Sequence, residues 1–558
     1  MKNKTTTTLN ACALAIGVMF SGNLLAQEAV VLNGKNLTLE DAWAIAAQGK
    51  TVKIDAAAME KMKRSNALLM LAAEQGVPVY GLTVGVGLNK DKSLFDAHGK
   101  LSPDVLAASR DFNRNALRAH GAGVGPDMPV DLVRMSMVIR LNTMLTGATG
   151  AQPYVAELYA AFLNKGITPV VPSQGSVGEA DITLASHIGD AMMGEWRVIV
   201  NQQTIPAAEA LKNAGLTPLD PVGKDALSIL STNSISTAYS AKAIMNAKQI
   251  VGITPAVFGL SLEGLNGNVS PILPQSVSVR PFPGLADSAK SIRDTLTGSY
   301  LWQPNEKRPL QDPLSYRTTV FVLNEAQRDL ANAQEMLSIQ MNSSDDNPAV
   351  ILDASEEYAQ NGQVKQYYVK GKDIKGAIYP TANFEPLPLA LAVQKLSVSL
   401  GHLSHNSVQR TLHLSDDHFT GLSRFLTAEG NSGHAFGAIQ KPQVALHSEN
   451  VDLANPVSLD GQVMAGTIED TFTNNLYASQ RLQRIVDNMA AIYSLELLHS
   501  TQAIDLRKIA MPEITMGQQT QALYQAYRKA VPFVDRDRIY SDDIKNGAAL
   551  VADYPVQK

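Results

Sequence analysis

The chain has 558 residues, 45% hydrophobic and 18% charged, with 39 Gly and 27 Pro, which excludes collagen-like and low-complexity classes. Its net charge of −5, from 47 basic and 52 acidic residues, gives no basic footprint for nucleic acid and no polybasic face for a membrane. The single cysteine, Cys12, excludes a disulfide framework and any multi-cysteine metal site.

Residues 1–26 read as a secretory signal. Lys2 and Lys4 supply the positive start, Ala11 to Phe20 the apolar core, and Leu24-Leu25-Ala26 a small-residue cleavage site. No apolar run precedes Cys12, so a lipoprotein signal is not expected. A mature protein beginning near Gln27 would be periplasmic or secreted. No later apolar run reaches about 18 residues without polar breaks, so no membrane span is expected.

Residues 27–219 form a mixed, loop-rich N-terminal domain. Short helical runs there alternate with glycine-rich loops: Tyr80-Gly81 through Gly87, Gly121 through Gly125, and Gly175-Ser176-Val177-Gly178. Residues 220–512 read as a long-helix bundle, because Lys224 to Val251, Val320 to Asn347 and Asp470 to Met511 contain neither Gly nor Pro. In the last run, Leu482, Ile485, Met489, Ile492 and Leu495 share one helical face, and Phe472 and Leu476 form a separate four-step pair. Leu389 to Gln409 reads as a further helix behind Pro388. The polar stretch Asp353 to Lys375 is expected as a surface hairpin, and residues 513–558 as a C-terminal helical cap. The fold class is therefore mainly α.

None of the glycine loops is followed by Lys-Ser/Thr, so none is a P-loop, and Gly85-Val86-Gly87 lacks the third glycine of a dinucleotide fingerprint. Ser176 has glycine on one side only at the spacing of a nucleophile elbow. His402, His405, His413, Asp416, Asp417 and His418 cluster in sequence without a zinc-protease spacing. Helix-end and surface roles are expected for them, and no metal.

Taken in order, a set of motifs resembles one family. They are Tyr80-Gly81 with Gly85 and Gly87; Ala119-His120-Gly121-Ala122-Gly123-Val124-Gly125; Gly175-Ser176-Val177-Gly178; Ser261-Leu262-Glu263 with Gly267-Asn268; Arg280-Pro281 with Pro283-Gly284; Gln311-Asp312-Pro313 with Ser315 and Arg317; Asn342-Ser343 with Asp346-Asn347-Pro348; Asn383-Phe384; Ser448-Glu449-Asn450; Glu469-Asp470; and Asp505-Leu506-Arg507. From about Lys35 to Arg507 the chain is similar to the aromatic amino-acid ammonia-lyases and related aminomutases. The resemblance implies a largely α-helical homotetramer whose active sites combine loops from three subunits.

It also assigns residues. Tyr80 matches the catalytic base, whose phenol, ordinarily near pKa 10, must be depressed to work at neutral pH. Arg317 matches a bidentate carboxylate clamp and Asn347 a second carboxylate contact. Gln311 matches a polar active-site residue and Phe384 an aromatic wall. Glu449 matches an acid that faces the imidazole in histidine-specific members, and His120 falls where the ring is selected.

The pattern breaks at one place. Family members cyclise Ala-Ser-Gly, directly after Gly-Ser-Val-Gly, into the electrophile methylidene-imidazolone. Here the following residues are Glu179-Ala180-Asp181, with Asp181 and His187 matching the family's later Asp and His, so one residue is missing and the serine is gone. No such cofactor is expected. Nearby, Ser231 stands in place of an Asn, with Asn233 two residues on. Leu314 replaces a Tyr, with Tyr316 close by, and Phe282 replaces a His. Glu385 replaces the His after Asn-Phe, and Ile468 and Thr471 replace Gln and His around Glu469-Asp470.

The expected function is an exported carbon–nitrogen lyase acting without the electrophile on an amino-acid or betaine substrate. Within the family ergothionase, which lacks the electrophile and releases trimethylamine from ergothioneine, sets the precedent. Glu179 and Glu385 would face the amine, with Phe384 or Tyr316 offering it a ring face. The alternatives are a conventional histidine or aromatic ammonia-lyase or aminomutase, and a non-catalytic periplasmic binding protein for aromatic amino acids. A binder needs the clamp but no base, and the conventional enzyme needs the tripeptide.

Overall fold

The structure, a computed structural model, describes residues 28–77, 79, 82 and 103–556. The signal-like segment and Tyr80 lie outside the described residues. Eleven of the helices form the frame of the molecule: α1 (Ala56–Glu74), α2 (Pro103–His120), α3 (Val130–Met144), α4 (Ile182–Met192), α5 (Ser234–Leu265), α6 (Thr319–Met341), α7 (Leu387–Leu414), α8 (Gln440–Leu453), α9 (Asn475–Ala510), α10 (Gln518–Ala530) and α11 (Ser541–Asp553). Three strands also matter: β1 (Ala349–Leu352), β2 (Tyr368–Lys370) and β3 (Lys375–Tyr379).

Side-chain bridges fix the directions of the long helices. Ser240 Oγ meets Ser479 Oγ at 2.7 Å, and Thr254 Oγ1 meets Tyr493 Oη at 2.7 Å. The sequence offset is constant, so α5 and α9 run parallel. Ser399 donates to Asp329 at 2.5 Å and Asn406 to Thr318 at 3.4 Å, so α6 and α7 are antiparallel. The expected apolar face of α9 is buried at Leu482, Ile485, Met489, Ile492 and Leu495. One continuous core reaches from Leu32 to Val551. The C-terminal helices close onto it, with Tyr527 donating to the Ser494 carbonyl at 3.1 Å.

Several boundaries differ from the sequence expectation. The run from Lys224 is broken at residues 231–233 between a short helix and α5, and α5 then continues past Gly252 and Pro255 to Leu265. A mid-helix proline removes one hydrogen bond and crowds the preceding turn. Here the burial of Ile250, Val251, Ile253, Val257, Phe258 and Leu260 outweighs that cost. An 18-residue window within Asp225–Leu265, with mean hydropathy 1.2, is apolar enough by composition alone to cross a membrane. That window is 72% buried, as befits the central helix of a bundle. Phe472 lies ahead of α9 rather than on it. The expected surface hairpin is part of a three-stranded antiparallel sheet in the order β1-β3-β2. Val350, Val369 and Ile378 of that sheet pack on Leu68, Leu69 and Ala72 of α1.

The bundle interior contains a dry ion pair. Arg410 donates from Nε and Nη2 to Glu496 at 2.6 and 2.8 Å, and Ser407 and Thr319 satisfy the remaining positions. Both charged side chains are fully buried. Such a pair owes its stability to complete pairing, because each lone charge would bear a large desolvation cost. Arg410→Met should therefore destabilise the protein by about 3–5 kcal/mol. Arg410→Met combined with Glu496→Leu should recover most of that loss, and urea unfolding of the two variants checks both values.

Candidate active site

Helices α5, α7 and α9 begin at the same end of the bundle, and the Gly175–Asp181 turn lies across their starts. The Val177 carbonyl accepts the Asn474 amide at 2.7 Å, just ahead of α9. Gly178 has φ 99°; a Cβ there would strike Thr473 Oγ1 and approach the Asn475 nitrogen to 2.9 Å, so the position needs glycine twice over. Ala180 takes the left-handed conformation at φ 65°. Its amide donates to Asn233 Oδ1 at 3.0 Å, and the Asp181 amide donates to the Thr232 carbonyl at 2.6 Å.

Asp181 turns inward. Its oxygens accept from Ser176 Oγ at 2.6 Å and from the Ser236 amide at 2.8 Å. Burial raises this carboxyl to about 6, and those hydrogen bonds oppose the rise. Glu179 turns the other way, toward Glu385. Its Oε1 is buried and accepts no hydrogen bond. Burial first, and then the neighbouring Glu385, push Glu179 up to about 8. Glu385 Oε1 accepts the Leu387 amide at 2.7 Å in the first turn of α7. Phe384, half-buried, offers its carbonyl to Asn233 Nδ2. Helix N-termini carry partial positive charge, so three of them gathered here favour negative charge at this end.

A buried charge network lies beneath. Arg140 on α3 donates to Asp345 at 2.6 Å and to Asp346 at 3.0 Å, and Lys224 donates to Asp346 at 3.1 Å. The four side chains are at most 4% exposed. Asp345 then accepts Thr232 Oγ1 at 2.7 Å and the Asn233 amide at 2.8 Å. Asn347, the residue after Asp346, accepts the Thr381 amide at 2.9 Å. The network thus fixes Asn233 and Asn347 together.

The expected clamp residue, Arg317, lies elsewhere in the chain. Arg317 and Gln311 line a cavity of about 450 Å³ with Asn268, Ser270 and Asp312, just past the C-terminal end of α5. Arg317 Nε donates to the Asp312 carbonyl at 2.8 Å. Glu179 lies at the opposite end of the 32-residue α5, a length of about 48 Å. The 23-residue α6 likewise separates Arg317 from Asn347 by about 35 Å. One chain therefore cannot place Arg317, Asn347 and the acid pair on one small substrate.

Glu449 on α8 is held by Arg484 at 2.8 and 3.1 Å and by Asn488 at 3.0 Å. The Arg484 hydrogen bond lowers its pKa, which suits an acceptor and not a proton donor. His120 ends α2, its Nδ1 on the Ala116 carbonyl at 2.7 Å. Tyr316 is 3% exposed, its hydroxyl on Ser261 Oγ at 3.1 Å inside the bundle. The expectation that its ring faces the amine is corrected: packing on Phe258 has taken that ring into the core. His405 pairs with His447 at 3.2 Å, and Asp416 caps a short helix. Among the described residues no group of three or more His, Cys, Asp or Glu could hold a metal. Sequence analysis passed over Arg140, Lys224 and Asp345, and named Asn233 only as a neighbour. The signal for Asn233 was its place as an Asn directly before a long apolar run.

Residues 37–529 match the aromatic amino acid lyase family. The chain belongs to that family. The histidine ammonia-lyase of Gloeobacter violaceus is 29% identical over 527 residues, covering 94% of this chain and 96% of the relative. The crystal structure of ergothionase from Treponema denticola, in complex with desmethyl-ergothioneine sulfonic acid, is 37% identical with a TM-score of 0.83, covering 94% of this chain and 98% of that one. Histidine ammonia-lyase from Trypanosoma cruzi, 22% identical over 94% of this chain and 93% of that one, shares the fold with a TM-score of 0.79. This aromatic amino acid lyase is a carbon–nitrogen lyase, with a structural likeness to the ergothionase branch.

Asp346 gives a pH signature for the network. Arg140 and Lys224 overcome the effect of burial and hold its carboxyl down to about 2, against an unfolded value near 4. Its stabilising contribution is therefore complete above about pH 4 and lost as the pH falls through about 2. Asp346→Asn should cost about 3–5 kcal/mol at neutral pH. Urea unfolding should show the gap between variant and wild type closing as the pH approaches 2.

Proposed function

We propose that the protein, exported after cleavage near Gln27, eliminates trimethylamine from a histidine-derived betaine such as ergothioneine and gives the corresponding acrylate. The observation that carries this reading is the Glu179 carboxyl facing Glu385 in the turn where the family's electrophile would be built. Directly after Gly178 the turn has Glu179, Ala180 and Asp181, and so no serine there to dehydrate. Its Ala180 and Asp181 amides are engaged by Asn233 and Thr232. These residues do not fit a methylidene-imidazolone.

The leaving group makes the electrophile unnecessary. A primary amine must be activated before it departs, and the family does so by adding it to the electrophile. A quaternary nitrogen has no lone pair to form that adduct. When a base removes the β-proton, the C–H electrons form the C=C bond and the C–N electrons leave with trimethylamine, which needs no proton to depart. The base is Tyr80, by its match to the family. Arg317 and Asn347 hold the carboxylate, Gln311 adds a polar contact, and Glu179 and Glu385 supply negative charge for the cation. Phe384 supplies a ring face. His120 and ion-paired Glu449 hold the imidazole-type ring. The separation of the clamp from the acid pair within one chain supports a homotetramer with shared sites.

Purified mature protein should raise the ultraviolet absorbance of an acrylate from ergothioneine and release trimethylamine, while free histidine and tyrosine stay unchanged. Turnover of those amino acids at ordinary rates, with the betaines ignored, would replace this reading by a conventional ammonia-lyase. Arg317→Lys keeps the charge and loses the planar fork, so kcat/KM should fall about 30- to 1,000-fold.

Shared sites have their own test. Arg317→Ala and Tyr80→Phe proteins, each inactive alone, should regain part of the wild-type activity when denatured together and co-refolded. If the mixture stayed as inactive as its parts, Tyr80 and Arg317 would not reach one site from different chains.

A further inference from the structure

The environment of the two glutamates goes further than a supply of negative charge. Asn233 ties their two backbone segments with one amide: its Oδ1 accepts from Ala180, the residue after Glu179, and its Nδ2 donates to the carbonyl of Phe384, the residue before Glu385. Asn233 cannot drift, because it is fully buried and its own amide is anchored on Asp345. The facing carboxyls are thus set by the fold.

Within one chain, and among the described residues, no cation shifts Glu179. On the same turn, Asp181 points away to Ser176 and Ser236. The start of α9 brings Thr473, Asn474 and Asn475, all uncharged. Below, Asp345 is neutralised by Arg140. Glu385 is the one charged group among the described residues that shifts Glu179, and together with burial it raises that carboxyl to about 8. Two carboxylates at hydrogen-bonding range in a half-dry site do not both ionise. A proton between them also gives the buried Glu179 Oε1 the partner it lacks.

We propose that Glu179 and Glu385 hold one proton between them in the free site and release it to solvent when a quaternary ammonium docks, with Asn233 as the positioning residue. This rests on the betaine reading above. A quaternary ammonium cannot donate a hydrogen bond, so it is recognised by charge and contact alone. Its positive charge replaces the proton's and favours the second ionisation. The three helix starts help to support the doubly charged pair. Binding is then proton-linked: near-stoichiometric release at neutral pH, fading as the pH rises past the value of about 8 to which Glu179 is pushed.

The probe is the N-trimethyl derivative of imidazolylglycine, which keeps ring, carboxylate and quaternary nitrogen but has no β-hydrogen to lose. Titration calorimetry of the full mature protein, in buffers of different ionisation enthalpy, counts the protons. The expected result at neutral pH is about one proton released per site, and close to none for Glu179→Gln. Asn233→Ala should reduce the count in protein that still assembles, a change that general loosening would not produce. Binding without proton release, an unchanged count in Glu179→Gln, or no binding at all would each overturn the proposal. Ergothioneine turnover, measured in parallel, separates the two ideas. Turnover with any of those results sinks the proton pair alone, and no turnover sinks the betaine reading with it.

Discussion

The site depends on four buried charges that cancel. Arg140 and Lys224 would each be costly in a dry interior, as would Asp345 and Asp346. Together they are tolerated because every charge meets an opposite one and most remaining polar atoms find a hydroxyl or a carbonyl. The network joins α3, the segment before the α5 break and the loop after α6, which are far apart in sequence. It is electrically balanced, so it exerts little net field on the site above. Its contribution is geometric, since Asn233 and Asn347 inherit their positions from its members.

The second constraint comes from helix direction. Parallel α5, α7 and α9 align their dipoles and leave one end of the bundle electropositive. Such an end is suited to accepting electron density. Glu179 and Glu385 oppose that tendency with two acids, and Glu385 also binds the first-turn amide of α7. The same backbone pole can thus serve opposite charge demands through two side chains. The contrast with the family's motif lies in side-chain chemistry, while the fold stays close to that of its relatives.

The helical architecture was legible because long stretches without Gly or Pro are rare and their apolar spacing is strong. Legibility failed at Pro255, where core burial overrides local preference, and at Tyr316, where only three-dimensional packing shows that the ring points inward. The acid pair was half legible. Glu179 and Glu385 stood out as departures from a motif, but their encounter depends on Asn233, whose amide joins segments some 200 residues apart. The distance between Arg317 and Asn347 could be inferred from the helix between them. The charge network was hidden, because a lone Arg or Lys in a sequence is more often a surface residue.

The crowding around Gly178 bears on which sequence changes the turn can take. The turn is pinned on one side by Thr473, Asn474 and Asn475 and on the other by Asn233 and Thr232. Building an Ala-Ser-Gly tripeptide here by the family's spacing would require an added residue, not an exchange. A turn with no slack cannot take one without releasing the contacts that start two helices. Point mutation therefore offers no short path to that tripeptide: the acid pair can be altered one residue at a time, whereas the tripeptide needs an insertion and several repairs at once.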